Sequence, residues 1–346
     1  MKALVFRGAG RHSWQEVPDP EVQGPEDAIV RVDAVTICGT DLHIMKGDVP
    51  EVADGRVLGH EAVGTVQQVG AGVQRVRPGD RVLISCISAC GRCEYCRTGS
   101  YGQCTGGGGW ILGHLVDGTQ AQLVRTPFAD TSLYRLPDGV TDESALMLAD
   151  ILPTAYEVGV RNGQVGPGDT VVVVGAGPIG LAAITAARLF SPSQIIAIDP
   201  AESRRSAAAK FGAGMTLDSD AAVRDAVLQA TDGAGADVAI EAVGIPATFE
   251  LCAELVRPGG RIANVGVHGA PVTLHLESLW SKNITITTGL VDTHSTSTLL
   301  RMVAAGQIDT TAFVTHRFGL DEMLDAYDVF GNASDSGALK VALFRT

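Results

Sequence analysis

A strongly apolar run leads directly into a glycine-rich turn in the middle of the chain. Thr170 is followed by four valines, as expected of a strand buried on both faces of a parallel sheet. The segment 175–180 (GAGPIG) then matches G-x-G-x-x-G and opens a helical stretch. Such glycines permit a tight turn and a close approach of pyrophosphate to the positive end of a helix. An ordinary strand-to-helix turn is the alternative, but this context favours a dinucleotide site.

The predicted cofactor contacts of this turn are Gly175, Gly177, Pro178, Ile179 and Gly180.

An acidic residue ends the next predicted strand, 194–198. Asp199 lies 19 residues beyond Gly180, close to the spacing of about 20 at which an acid binds the ribose hydroxyls. A carboxylate there would repel the 2′-phosphate of NADP, so the sequence predicts NAD. Arg204 and Arg205 follow closely and could instead accommodate that phosphate.

The rest of the chain predicts two domains of different kinds. A length of 346 residues exceeds a usual single core. Strand-like runs at 28–35, 62–69 and 81–84, broken by glycine and proline, are typical of a β-barrel. From about residue 150, strands alternate with helices, which predicts a doubly wound parallel sheet in an α/β fold. A strand-like run at 339–344 could rejoin the first domain.

Four cysteines lie within one short segment. Cys90, Cys93, Cys96 and Cys104 have the spacing C-x2-C-x2-C-x7-C, which indicates metal binding before disulfides in a large chain. Four thiolates suit a closed, tetrahedral, structural zinc site. An iron–sulfur cluster is the alternative, but ferredoxin-type runs usually have three residues before the fourth cysteine and a proline after it.

Charge and hydropathy exclude several classes of partner. The net charge of -13 argues against a surface that binds nucleic acid or anionic lipid. No apolar stretch approaches the ~20 residues that span a bilayer, and the N-terminal segment lacks the features of a secretory signal. We therefore expect no nucleic-acid or membrane partner and a cytoplasmic location.

Three further segments contain potential metal ligands: CGTDLH at 38–43, GHEAVG at 59–64 and LAD at 148–150. A lone cysteine or histidine is usually structural, so no single segment is informative. Together with the four-cysteine segment and GAGPIG, they resemble the zinc-containing medium-chain dehydrogenase/reductase family over essentially the whole chain. The resemblance implies a GroES-like, β-rich catalytic domain and a Rossmann domain.

In this family the catalytic domain is split in sequence. The resemblance places it at residues 1–152 and 292–346, with the structural zinc lobe at 86–106. The Rossmann domain would then comprise residues 153–291.

The resemblance also implies a catalytic zinc ion bound by Cys38, His60 and Asp150, with an open fourth position. Many animal-type alcohol dehydrogenases have a cysteine as third ligand, so Asp150 is more similar to microbial secondary alcohol dehydrogenases. Glu61 corresponds to a carboxylate that can join the metal when water or substrate leaves. A buried ion pair between Glu61 and an arginine is the alternative.

The family's proton relay corresponds to Thr40 and His43, with the cofactor ribose hydroxyl between them. In that scheme a zinc-bound alkoxide transfers hydride to the nicotinamide, and His43 passes the proton to solvent because histidine titrates near neutrality. Read alone, Thr40 could be a turn residue and His43 a surface histidine. The resemblance implies further cofactor contacts at Thr154, Gly266, Val267, His268, Leu290 and Val291.

These features predict a zinc-dependent, NAD-linked alcohol dehydrogenase or carbonyl reductase with two zinc ions per subunit. Its substrate would be a primary or secondary alcohol, or the corresponding aldehyde or ketone. A polyol or threonine dehydrogenase of the same family is the nearest alternative, and a non-catalytic nucleotide-binding protein is an alternative from another class. Family members are homodimers or homotetramers. The glycine run 106–109 with Trp110 could form a wall of the substrate entrance or a cover over the zinc lobe.

Overall fold

The computed structural model describes residues 1–345 and divides into two compact units. The first, here called the β-rich unit, comprises Met1–Pro153 and the segment from Val291 onward. The second, the Rossmann unit, comprises Thr154–Leu290. The sequence placed both Pro153 and Val291 in the Rossmann domain. The structure assigns both residues to the β-rich unit, so each boundary differs by one residue.

The strands are β1 (Lys2–Phe6), β2 (His12–Glu16), β3 (Ala28–Thr36), β4 (Ala62–Val69), β5 (Arg81–Ile84), β6 (Leu123–Thr126), β7 (Leu133–Arg135), β8 (Thr170–Val174), β9 (Gln194–Ile198), β10 (Met215–Leu217), β11 (Ala236–Glu241), β12 (Val256–Asn264), β13 (Thr285–Thr288), β14 (Val314–Gly319) and β15 (Lys340–Phe344).

The α-helices are α1 (Gly39–Lys46), α2 (Glu94–Arg97), α3 (Ala129–Ser132), α4 (Asp142–Leu146), α5 (Ile151–Thr154), α6 (Pro178–Arg188), α7 (Glu202–Phe211), α8 (Val223–Ala230), α9 (Pro246–Leu255), α10 (Leu276–Leu279), α11 (Thr296–Ala304), α12 (Met323–Gly331) and α13 (Ala333–Ser336). A π-helical segment, Ala155–Arg161, continues α5, and short 3-10 turns occupy Tyr101–Gln103, Trp280–Lys282, Thr311–Phe313 and Leu320–Glu322.

The β-rich unit is built on a sheet in the order β14-β15-β3-β4-β5-β7, with β6 also paired to β3. Alternating buried residues of β3 and β4 pack into its core, as period-2 strands with one apolar face require. The C-terminal strand β15 pairs antiparallel with β3, so that Ala342 lies opposite Thr36. This pairing brings residues near the end of the chain beside the segment that follows β3.

The Rossmann unit contains a parallel sheet in the order β10-β9-β8-β11-β12-β13. Val171–Val174 of β8 are buried in its centre, as the run of valines predicts. The strands are all parallel, and their carboxyl ends therefore share one edge. That edge is where ligands of doubly wound sheets bind.

The α/β fold class with a GroES-like and a Rossmann part is confirmed. The helix expected to reach residue 190 instead ends at Arg188. There Leu189 N donates a hydrogen bond to Ala186 O, three residues back, and Ser191 adopts a left-handed φ of 56° that ends the helical path. Among residues 1–345, no helix is long and apolar enough to cross a membrane.

Candidate metal centres and cofactor site

Three side chains from separate segments of the β-rich unit converge on one point. Cys38 is the N-cap of α1, His60 precedes β4 and Asp150 precedes α5. Cys38 Sγ lies 3.7 Å from Asp150 Oδ2, and His60 Nε2 lies 3.3 Å from the same oxygen. Donor atoms bound to tetrahedral zinc at about 2.0–2.3 Å lie roughly 3.3–3.8 Å from one another. The separations of Cys38 and His60 from Asp150 are therefore those of ligands on one zinc ion.

The electrostatics of this cluster also suit a cation. Burial raises the pKa of the Cys38 thiol, and the charge of Glu61 raises it further. Burial opposes protonation of His60, but its hydrogen bonds to Asp150 and Cys38 raise its pKa well above the usual range. A bound dication would stabilise the thiolate and the carboxylate together. The residues present therefore fit a metal ion.

Glu61, the residue after His60, forms a buried ion pair with Lys340. Both side chains are 1% exposed, and Lys340 Nζ also donates a hydrogen bond to Ile37 O at 3.0 Å. Within the described part of the chain, Glu61 Oε1 is buried without a hydrogen-bond partner. The ligand atoms that Cys38, His60, Glu61 and Asp150 offer all lie within 4.8 Å of one another.

The alternative interpretation of Glu61, an ion pair with an arginine, names the wrong base, because a lysine occupies that place. The reason is the register between β15 and β3, which carries Lys340 to the residues just beyond the end of β3. Lys340 lies 279 residues from Glu61 in sequence, and no local pattern connects the two.

Asp41, which the sequence analysis did not select, lies beside His60. Its Oδ1 is 3.7 Å from His60 Nδ1, and its Oδ2 accepts hydrogen bonds from Cys38 N and Gln120 Nε2 at 2.9 Å each. The separation between Oδ1 and Nδ1 is longer than a hydrogen bond, so the contact is electrostatic, and it favours the ring orientation in which Nε2 faces Asp150. The sequence feature that could have identified Asp41 is its position in the first turn of α1. An acidic residue there is usually explained by its favourable interaction with the N-terminus of the helix.

Thr40 and His43 lie on α1, on the same side of the helix because they are three residues apart. Thr40 Oγ1 is 3.6 Å from Cys38 Sγ, which places it beside the ligand cluster. The side chain of His43 is 39% exposed, and its Nδ1 lies 2.9 Å from Asp48 Oδ2. The structure thus brings Thr40 to the cluster and leaves His43 partly in solvent.

Cys90, Cys93, Cys96 and Cys104 form a second compact group. Cys90 Sγ is 3.9 Å from Cys96 Sγ, and Cys93 Sγ is 4.0 Å from Cys104 Sγ. Thiolates at about 2.3 Å from a tetrahedral zinc ion lie roughly 3.8 Å apart. The backbone N–H of Cys96 lowers the pKa of Cys93 to about 5, whereas burial raises that of Cys96 to about 12. All four are free of disulfide bonds, and their arrangement fits a closed zinc site.

The glycine run beside this lobe has a packing reason. A Cβ on Gly106 would overlap Cys90 Sγ, and one on Gly108 would overlap Ser88 O and lie 3.0 Å from Cys104 Sγ. The backbone therefore approaches the thiols too closely for any larger residue.

Trp110, directly after this run, faces the other cluster. Its ring meets His60 edge-on, with centroids 6.4 Å apart and planes at 78°, and it stacks on His114 at 4.3 Å. The glycines therefore allow close packing in the four-cysteine lobe, whereas Trp110 borders the cluster of Cys38, His60 and Asp150.

In the Rossmann unit, the glycine-rich turn has the form that a dinucleotide requires. Gly175 has a φ of 97°, and a Cβ on Gly180 would overlap Gly175 O, so helix α6 packs closely on β8. Gly177 is the N-cap of α6 and has open space beside it, and Pro178 occupies the first turn. Backbone N–H groups at this end of α6 are available to bind phosphate. The turn therefore fits a pyrophosphate.

Asp199 lies at the end of β9, adjacent to this turn. Its Oδ2 accepts a hydrogen bond from Ala176 N at 2.8 Å, and its Oδ1 accepts one from Ala201 N at 2.9 Å. Arg205 donates hydrogen bonds to Glu202 and Asp218, and is therefore occupied by carboxylates. The side chain of Arg204 is half-buried, and burial lowers its pKa.

The remaining predicted cofactor residues are distributed along the chain. Gly266, Val267 and His268 follow β12 and Leu290 follows β13, which places them at the carboxyl edge of the same sheet as Gly175 and Asp199. Val267 is 64% exposed there. Thr154 ends α5 at the start of the Rossmann unit, whereas Val291 is buried in the β-rich unit.

Glu241 is a second residue that the sequence analysis missed. It is fully buried at the end of β11, where its Oε1 accepts hydrogen bonds from Val243 N, Gly244 N and Thr248 Oγ1. His268 Nε2 lies 3.5 Å from its Oε2. Glu241 thus stabilises the turn after β11 and contacts the segment after β12.

Two family models match the chain. Residues 24–138 match the alcohol dehydrogenase GroES-like domain, and residues 178–305 match the zinc-binding dehydrogenase domain.

Known proteins are similar over the whole chain. An alcohol dehydrogenase of Cupriavidus necator is 39% identical, across 99% of this chain and 98% of that protein. The solved apo structure of zinc dependent alcohol dehydrogenase 2 from Streptococcus pneumonia is 46% identical with a TM-score of 0.96, covering 100% of this chain and 98% of that one. Alcohol dehydrogenase TADH from Thermus sp. ATN1 is 40% identical with a TM-score of 0.92, covering 100% of both chains. The chain therefore belongs to the zinc-dependent alcohol dehydrogenases of the medium-chain dehydrogenase/reductase family.

Proposed function

We propose that this alcohol dehydrogenase uses NAD and acts reversibly on primary or secondary alcohols and the corresponding aldehydes or ketones. The carrying observation is the convergence of Cys38, His60 and Asp150, in which Cys38 Sγ and His60 Nε2 both lie at zinc-ligand separations from Asp150 Oδ2. A zinc ion held there would act as a Lewis acid on the alcohol or carbonyl oxygen, and a nicotinamide would accept or supply the hydride. A second, structural zinc ion would occupy the four-cysteine lobe.

Thr40 and His43 are the residues of this chain that would transfer the proton. The Thr40 hydroxyl lies beside the ligand cluster, where it can hold the proton of a substrate hydroxyl. His43 is partly exposed and bonded to Asp48, so it can exchange that proton with solvent. We infer that the ribose hydroxyl of the cofactor connects the two side chains.

NAD is the proposed cofactor because a carboxylate, Asp199, stands beside the glycine-rich turn. It would accept hydrogen bonds from the ribose hydroxyls and repel a 2′-phosphate. The guanidinium of Arg205 donates hydrogen bonds to the carboxylates of Glu202 and Asp218. It would have to give up these hydrogen bonds to bind a 2′-phosphate.

Trp110 supports a small or apolar substrate. Its ring packs edge-on against His60 and presents an apolar surface next to the ligand cluster. We propose that it forms one wall of the substrate site. A wall of this kind suits simple alcohols and ketones better than polyols, whose hydroxyls would lose hydrogen bonds to water there.

We also propose that the protein is a homodimer or homotetramer. Strand β13 forms an edge of the six-stranded sheet, and an edge strand readily pairs with a second copy. Just before it, Trp280 and Leu276 are 77% and 59% exposed, respectively. Apolar side chains of this size beside a sheet edge are typical of subunit interfaces.

Asp150→Asn should remove an anionic zinc ligand. We expect the zinc content to fall from two ions to one per subunit and kcat/KM to fall by about 100-fold or more. Metal analysis and a panel of primary alcohols, secondary alcohols, aldehydes and polyols with NAD provide the measurement. Asp142→Asn, at a surface ion pair with Arg81, is the control. A wild-type protein with two zinc ions that oxidises no alcohol would contradict the proposal, and fastest turnover of polyols would favour a polyol dehydrogenase.

Asp199→Asn should shift the cofactor preference. The ratio of kcat/KM for NAD to that for NADP is expected to fall by about tenfold, which corresponds to the loss of roughly 1.4 kcal/mol of discrimination. Asp220→Asn is a matched control, because Asp220 also accepts a hydrogen bond from the N–H two residues later. A wild-type enzyme that prefers NADP would refute the assignment.

Thr40→Ala should lower kcat by about 100-fold, since a positioned proton-transfer group contributes a factor of this order. The zinc content should stay unchanged, and Thr40→Ser should restore most of the activity because it keeps the hydroxyl. Near-normal turnover by the alanine variant would exclude Thr40 from the proton path.

Trp280→Glu should weaken association between subunits, because it places a charge in the proposed interface. Sedimentation analysis is expected to show a smaller species than the wild type. Leu115→Glu changes a residue in the β-rich unit that is 52% exposed, and it should leave the oligomeric state unaltered. A wild-type monomer, or an unchanged oligomer in the Trp280 variant, would argue against this interface.

A further inference from the structure

A chain of buried hydrogen bonds runs from helix α12 to Asp41, and the carboxylate of Asp41 lies beside the imidazole of His60. Tyr327 Oη donates to Gln120 Oε1 at 2.8 Å, and Gln120 Nε2 donates to Asp41 Oδ2 at 2.9 Å. Asp41 Oδ1 then lies 3.7 Å from His60 Nδ1. Tyr327, Gln120 and Asp41 are all at most 4% exposed. We propose that Tyr327 and Gln120 are positioning residues that fix the zinc ligand His60 through Asp41.

The chemistry of these groups gives the chain a single direction. A carboxylate only accepts hydrogen bonds, so Gln120 must present its amide N–H to Asp41. The amide oxygen of Gln120 therefore faces Tyr327, and the tyrosine hydroxyl must donate to it. Loss of that hydroxyl would leave a buried amide oxygen without its donor and would weaken the orientation of the amide.

Gln120 is also attached to the backbone that carries His60. Gln120 N donates to Leu58 O, and Thr119 N donates to Gly59 O, both at 2.9 Å. A Cβ on Gly59 would lie 2.6 Å from Gln120 Cγ and 2.8 Å from Gln120 N. Only a glycine at position 59 permits this approach. The Gln120 amide is thus held relative to His60 on one side and to Asp41 on the other.

The hydroxyl of Tyr327 has no evident packing role. Its ring lies in the apolar core of the β-rich unit, among residues such as Met323, Phe330 and Val341. A phenylalanine would fill almost the same volume there. What the tyrosine adds is the donor to Gln120, and through it a defined position for Asp41.

Tyr327→Phe tests this inference, which rests on the zinc site proposed above. The measurement is the release of zinc from the native enzyme to a chromogenic chelator, and it should show two phases for the two zinc sites proposed above. We expect the phase from the Cys38–His60–Asp150 site to become about fivefold faster, given the loss of one buried hydrogen bond behind a ligand. The phase from the four-cysteine lobe should not change, so the lobe is an internal control. With cobalt at the first site, its visible absorption bands should shift.

Tyr134→Phe is the matched control, because it removes a tyrosine hydroxyl that donates to Thr293 O at 3.0 Å in the same unit. Gln120→Met removes the donor to Asp41 itself and should accelerate release by about 10–100-fold. In that background, adding Tyr327→Phe should have no further effect, since both changes act through one path.

Three results would overturn the inference: wild-type release from Tyr327→Phe, equal acceleration by Tyr134→Phe, or additive effects of Tyr327→Phe and Gln120→Met. If Gln120→Met does not fold, the comparison of the two tyrosine variants decides. A wild-type enzyme that releases only one zinc ion, from the lobe, would instead refute the proposed catalytic zinc site, and the inference would fall with it.

Discussion

The concentration of acidic groups around Cys38, Glu61 and Asp150 is the constraint on which the β-rich unit depends. A thiol and two carboxylates lie within 4.8 Å of one another and of His60. Lys340, itself buried, pairs with Glu61, and His60 Nε2 lies 3.3 Å from Asp150 Oδ2. Ionised groups are expensive in a protein interior even when they are paired. A bound dication would therefore stabilise the cluster, and it would link the folding of this region to metal binding.

That constraint explains why so many distant segments meet at one place. The C-terminal strand β15 brings Lys340 to the end of β3, and α12 reaches the cluster through Tyr327 and Gln120. Each segment supplies either a counter-charge or a hydrogen bond to a group that would otherwise be buried unsatisfied. In the four-cysteine lobe, the polar groups are satisfied by nearby residues. Its thiols accept hydrogen bonds from backbone N–H groups of the lobe itself, and glycines let the chain wrap closely around them.

Much of this site was predictable from local spacing. The cysteines at 90, 93, 96 and 104 and the turn at 175–180 carry their chemistry in a few consecutive residues, and the structure assembles both as the pattern indicates. Other features have no local pattern. Lys340 stands where the alternative interpretation of Glu61 placed an arginine, Asp41 resembles an ordinary helix cap, and Glu241 resembles the last residue of a strand. Their roles become visible only from what lies beside them in space.

The class of fold, the dinucleotide turn and the residue types expected to bind metal could be predicted from the sequence, because these depend on periodicity and on short-range spacing. The structure confirms the α/β fold, and the comparisons with known proteins establish the family. Tertiary contacts determine how the cluster is supported: which base pairs with Glu61, which side chains lie beside His60, and which ring borders the cluster. Those contacts join residues up to 279 positions apart. They are set by strand register and helix packing, which no single segment of sequence encodes.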